Sequence, residues 1–167
     1  KQTLRNRTYI CSADGRLPLI IPVRHTGGKL TAVKDIMISY DAAWQKNHWR
    51  SITSAYRNSA WFEFMEDEFI NFFSVKEKFL CDLNEKIFHT LVRLCQLNLS
   101  INRTEQYVKD YPPSVAVLRN FSDMKNFNDY NKQEPLPSYP QVFSEKLGFT
   151  GGLSILDLLF NQGKHSA

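Results

Sequence analysis

The chain has 167 residues, 43% hydrophobic and 23% charged, which excludes a disordered or fibrous protein and fits one globular domain over residues 1–167. Three cysteines (Cys11, Cys81, Cys95) with no C-x-x-C pair argue against a disulfide framework, a zinc ribbon and a thioredoxin-type site, and point to a reducing, cytoplasmic setting. The net charge of +4 is unevenly placed: residues 1–57 carry ten Lys/Arg against three acids, whereas residues 58–97 carry four against seven.

In chain order, TYICSA (8–13), DGR (14–16) and PLIIPV (18–23) read as strand, turn and strand, because Asp-Gly supplies the backbone angles of a tight hairpin. Pro18 and Pro22 lack an N–H and assign the second strand to an edge. HTGGK (25–29) is a loop by its glycines, and the alternation in DIMISY (35–40) predicts a third strand. Asp41 suits the N-cap of a helix over about 42–56, whose stripe Trp44, His48, Ile52 and Tyr56 recurs every four residues.

A second helix covers 59–73. Ser74 to Glu77 has the form of a capping box, which predicts a third helix from there to about Leu97, with Leu80, Leu83, Ile87, Leu91 and Leu94 inward. Residues 99–108 are expected to form a short strand. From 109 to 140 the composition turns to Asn, Asp, Tyr and Pro and predicts a long irregular segment with a helical turn near 115–121. QVFSEKLGF (141–149) is a short helix ended by Gly148. The fold class that results is α+β: an N-terminal antiparallel sheet built on a hairpin, packed against about three central helices, with a short buried C-terminal helix.

The closing GGLSILDLLFNQG (151–163) has glycines around an apolar run but is not a phosphate loop. A Walker motif needs Gly five residues before Gly163, where Leu158 stands, and Ser or Thr after Lys164, where His165 stands. Ser154 and Asp157 fit a capping box with Asp in place of Glu, and Gly163 fits the C-terminal stop.

Several groups invite chemistry. The basic N-terminal third suits an anionic small molecule such as a nucleotide-sugar or glycan precursor, or else it docks on the acidic middle of the chain. Lys46, Arg50 and Arg57 fall within roughly 40° of one another on the first helix. Arg5 and Arg7 flank Asn6 and offer fork-shaped donors for phosphate or carboxylate, or a surface salt bridge. Cys11 with His25 or His48 and Asp41 contains the parts of a Cys–His hydrolase, although buried cysteine is the commoner case. His25, His48 and Asp41 match no metal-ligand spacing, and a hydrogen-bonded core histidine is the competing reading of His48. No metal or cofactor is expected. No stacking signature, helix-turn-helix or zinc finger points to nucleic acid. No apolar run approaches the length of a membrane span, and no signal peptide heads the chain. The start at Lys1 without Met fits the loss of an N-terminal piece.

KQTLRNR (1–7), IPVRH (21–25), ISYDAAWQKNHWRSITSAY (38–56), WFEFMEDEF (61–69), QVFSEKLGF (141–149) and LSILDLLFNQG (153–163) together resemble the WbqC-like family of bacterial proteins, in order and in spacing. The resemblance implies a setting in O-antigen or other surface-polysaccharide biosynthesis, with a transferase of glycine or another aminoacyl group to a sugar as one suggested role. It transfers no catalytic residues. Combined with the charge pattern it leads to a transferase in which His25 or His48 is the general base. Asn6, Arg7, Lys46, Arg50 and Arg57 would bind the anionic substrate. A non-enzymatic binding or assembly protein of the same pathway, and the Cys–His hydrolase, are the alternatives.

Overall fold

The computed structural model describes residues 3–24, 31–118 and 137–165. Strands β1 (Arg7–Ser12) and β2 (Gly15–Ile20) form a two-stranded antiparallel hairpin in the register Tyr9 to Pro18 and Ser12 to Gly15. The turn closes on Ala13 and Asp14, and Gly15 carries the positive φ of +102° that follows them. Three helices come next: α1 (Trp44–Tyr56), α2 (Phe62–Ser74) and α3 (Leu80–Leu94). A single turn, α4 (Ser144–Leu147), ends at Gly148, and α5 (Ile155–Gln162) ends at Gly163. The α+β expectation, with its hairpin, three central helices and buried C-terminal helix, holds.

The core is largely aromatic. Phe160 of α5 packs against Tyr56, Phe62 and Phe69 at centroid distances of 5.3, 5.1 and 5.6 Å, so one C-terminal ring touches both α1 and α2. Ile10 and Leu19 bring the hairpin into the same cluster. A second cluster of Ile38, Trp44, Leu80 and Leu83 lies at the start of α1 and α3, and Phe72 and Phe73 pack against both clusters.

Four local expectations are corrected. Residues 35–40 form no strand: Ile36–Ser39 threads between two neighbours, with Ser39 N–H donating to Pro22 O and Ile38 N–H to Lys78 O. Each pairing is a single bridge, because Pro22 cannot donate and α3 begins at Leu80. Asp41 does not cap α1, which starts at Trp44 after Ala43; its carboxylate instead accepts the Ser39 hydroxyl at 2.7 Å. Ser74 is the last residue of α2 and donates back to Ile70 O and Asn71 O, so the proposed capping box is the end of one helix and not the start of the next. Residues 99–108 are irregular and exposed and form no strand. Val115 N–H closes a turn on Pro112 O, and the remainder of the turn expected at 115–121 reaches past the described residues.

One buried carboxylate joins the two ends of the chain. Asp157 on α5 is fully buried and does not complete a capping box. Only Ser154 caps α5, accepting from Leu156 N–H. The Asp157 side chain accepts from Tyr56 Oη at 2.8 Å, Tyr139 Oη at 2.7 Å and Gln141 Nε2 at 2.8 Å. Burial, with the carboxylate beside them, holds both phenols above the usual tyrosine range, so both remain protonated donors. Tyr56 Oη in turn accepts the Cys11 N–H at 3.1 Å, and the Ser154 N–H donates to Tyr9 O at 2.7 Å. These two bonds occupy the outer edge of β1, which a two-stranded sheet leaves open.

Gly163 sits against the flat of Trp61, where a Cβ would lie 2.6 Å from the indole ring, and its φ of +77° with ψ of −161° is a glycine-only conformation. Gly163→Ala is therefore expected to destabilise the protein by about 2–4 kcal/mol in urea unfolding. A loss below about 0.5 kcal/mol would show that the helix end moves off the indole freely.

Candidate functional site

The loop before β1 is fixed from two sides. Asn6 Nδ2 donates to Ile21 O at 3.1 Å, while Ile21 N–H donates to Asn6 O at 2.9 Å, which extends the hairpin contact past the end of β2. Asn84 on α3 donates to Arg5 O at 2.8 Å. The loop thus lies over the junction of the two aromatic clusters. There it closes one wall of a cavity of about 240 Å³, whose other walls come from α1, α2, α3 and the start of α5.

Arg5, Asn6, Arg7, Trp44, His48 and Asn84 supply the nitrogen groups of this cavity, and the rest of its lining is mostly leucine, isoleucine and phenylalanine. Concave, mostly apolar and furnished with a few polar groups, it has the character of a small-molecule site. His48 stands one turn beyond Trp44, with the rings edge to face at 5.2 Å. Burial pushes the imidazole below the ordinary histidine value, and the backbone of Ile20, which hydrogen-bonds to it, only partly offsets this. The ring is neutral at pH 7 and retains a nitrogen lone pair. Arg7 Nη1 reaches Tyr9 Oη at 3.4 Å. The Trp44 Nε1–H is buried and has no hydrogen-bond partner among the described residues.

The structure brings Asn6, Arg7 and His48 together and leaves Lys46, Arg50 and Arg57 outside. Lys46 is exposed on α1. Arg50 borders a separate depression with Ser12, Ser51, Ser54 and Phe143, and Arg57 is exposed at the end of α1. The three share a helix sector, but that sector faces away from the cavity because Trp44, Ile52 and Tyr56 turn inward. His25 lies outside the described residues. The basic third packs on the acidic middle through Trp49 against Phe62 and Phe73 and through the Asn84 amide on Arg5 O, but not through ion pairs among the described residues: Glu68, Glu77 and Glu85 pair with Arg93, Lys86 and Arg103.

Cys11 does not line this cavity. Its thiol is raised, first by burial and also by the nearby Asp157 carboxylate, with Thr150 opposing, so the group is a thiol and not a nucleophilic thiolate. Asp41 is engaged by Ser39. No group of three or more His, Cys, Asp or Glu side chains suited to a metal occurs among the described residues, and no helix there is long and apolar enough to cross a membrane. Sequence reading missed Trp44 and Asn84 as cavity residues, since one sits on an ordinary apolar stripe and the other is a lone amide in a helix.

His48 gives a pH prediction. Its folded value lies below the unfolded value of 6.5, so its contribution is complete above 6.5 and is lost as pH falls through the lowered folded value. Urea melts should show stability declining below pH 6.5 with a His48 share no steeper than about 1.4 kcal/mol per pH unit, and His48→Gln should remove that share. Parallel pH profiles for the two proteins would mean that the imidazole is not desolvated.

The chain belongs to the WbqC-like protein family, whose family model matches residues 1–113. The match takes in β1 to α3 and every nitrogen-bearing residue of the cavity, and it ends before QVFSEKLGF and LSILDLLFNQG. No curated protein and no solved structure matches the chain.

Proposed function

Taking membership of the WbqC-like family as the premise, we propose that this protein is a transferase acting on a nucleotide-sugar or glycan precursor in surface-polysaccharide biosynthesis, such as that of O-antigen, in the cytoplasm. The observation that carries the reading is the meeting of a neutral His48 with Asn6 and Arg7 in one cavity. In this reading His48 is the general base. It accepts the proton of the acceptor's hydroxyl or amine as that group attacks the carbonyl carbon of an activated acyl donor, and then passes the proton to the leaving group. Arg7 and Arg5 attract the negative charge of the substrate, and their loop is held in place by the Asn6 and Asn84 amides. A concave site with a desolvated base favours an enzyme over a flat assembly surface.

The test is incubation of the protein with activated aminoacyl donors, glycine included, and amino-sugar nucleotides, with product followed by mass spectrometry. The reading expects a product whose rate falls about 10²- to 10⁴-fold in His48→Gln, and a raised KM in Arg7→Met. If no product forms and no nucleotide-sugar raises the melting temperature, the reading fails.

A further inference from the structure

The chemistry of the cavity wall is more specific than an anion site. Its polar groups are mostly engaged already: the Asn6 amide with Ile21 O, the Asn84 amide with Arg5 O, and the Ser154 hydroxyl with Leu156 N–H. Two donors of this wall suit an anionic ligand. One is the Arg5 guanidinium, half-buried and without an acidic partner among the described residues; the other is the Trp44 Nε1–H, on a side chain only 5% exposed. The fork of the Arg5 guanidinium suits the two oxygens of a carboxylate. Leu19, Phe69, Phe72 and Leu83 offer a continuous apolar surface beside these donors. At about 240 Å³ the cavity is smaller than the ~300–1,000 Å³ of drug-sized sites and suits a small ligand.

We infer that the cavity binds a small carboxylic acid with an apolar body, its carboxylate on Arg5, an oxygen accepting the Trp44 N–H and its hydrocarbon chain among Leu19, Phe69, Phe72 and Leu83. The inference rests on the reading of this cavity as the substrate site and names the class of ligand that site takes. A nucleotide-sugar would then present its acceptor group from outside. Glycine, which has no hydrocarbon body, would leave the apolar wall uncovered.

The test is calorimetric titration of the full chain with acetate, butanoate, hexanoate and octanoate, with hexanol as the uncharged control. Affinity should rise about fourfold per added methylene until the cavity is full. Hexanoate should bind at least tenfold more tightly than hexanol. Arg5→Met, shown folded by circular dichroism, should bind hexanoate at least tenfold more weakly than wild type, and Trp44→Phe at least threefold more weakly. Affinity that does not depend on chain length, or an Arg5→Met or Trp44→Phe protein within twofold of wild type, overturns the inference. Carboxylate binding without any transfer product overturns the transferase reading alone. Transfer without carboxylate binding overturns the carboxylate inference alone.

Discussion

The hydrogen bond between Tyr56 and Asp157 spans 101 residues and connects elements that share no strand or helix. A carboxylate taken out of water is costly unless its oxygens find donors, and in a low-dielectric interior those donors must be held in place. Here two phenols and an amide meet that need, with no cation involved. Tyr56 also takes the Cys11 N–H, so the carboxylate, the end of α1 and the edge of the hairpin are set by one another. Gln141 extends the arrangement: its amide donates to Thr150 O and accepts from Thr150 N–H at 2.8 Å, which folds residues 141–150 back on themselves. The short sheet is stable in this setting because its open edge is covered; a hairpin alone is marginal.

This constraint sets the position of the cavity. With α5 anchored by Asp157, Phe160 packs between α1 and α2, while Ser154 and Leu156 form part of the cavity wall. The opposite wall is the loop at residues 4–7, which β1 carries. Both walls therefore depend on β1, one through Tyr9 O and Cys11 N–H, the other by direct continuation. His48 and Trp44 project from the same helix that ends at Tyr56. A change at the buried carboxylate, which does not line the cavity, should alter the spacing of groups that do.

Much of the fold was legible in the sequence because it rests on local patterns. The four-residue stripe of α1, the leucine face of α3, the glycine after the hairpin turn and the glycine stops at 148 and 163 all act within a few residues. The errors arise where a polar side chain had two possible partners. Asp41, Ser74 and Asp157 each stood at a cap position by spacing, and each was engaged elsewhere: by Ser39, by the preceding turn, and by Tyr56 with Tyr139 and Gln141. Cap propensity is a local preference, whereas the partner of a buried carboxylate is chosen by packing between distant elements. The site follows the same division. Asn6, Arg7 and His48 were found from their chemistry, but like charge on one helix face was a poor guide, since Lys46, Arg50 and Arg57 decorate the outside. The two Trp44 roles, core ring and uncommitted donor, are indistinguishable in a sequence.

The Tyr56–Asp157 contact holds the C-terminal helix to the hairpin as one unit. A double-mutant cycle tests it most directly, with Tyr56→Phe, Asp157→Asn and the double variant compared with wild type by urea unfolding. Both single variants should be destabilised, and the double variant should be more stable than the sum of the two losses by about 1–3 kcal/mol, because each change breaks the same bond. Losses that add to within about 0.3 kcal/mol would show that the two groups act independently and that the contact does not couple helix to hairpin.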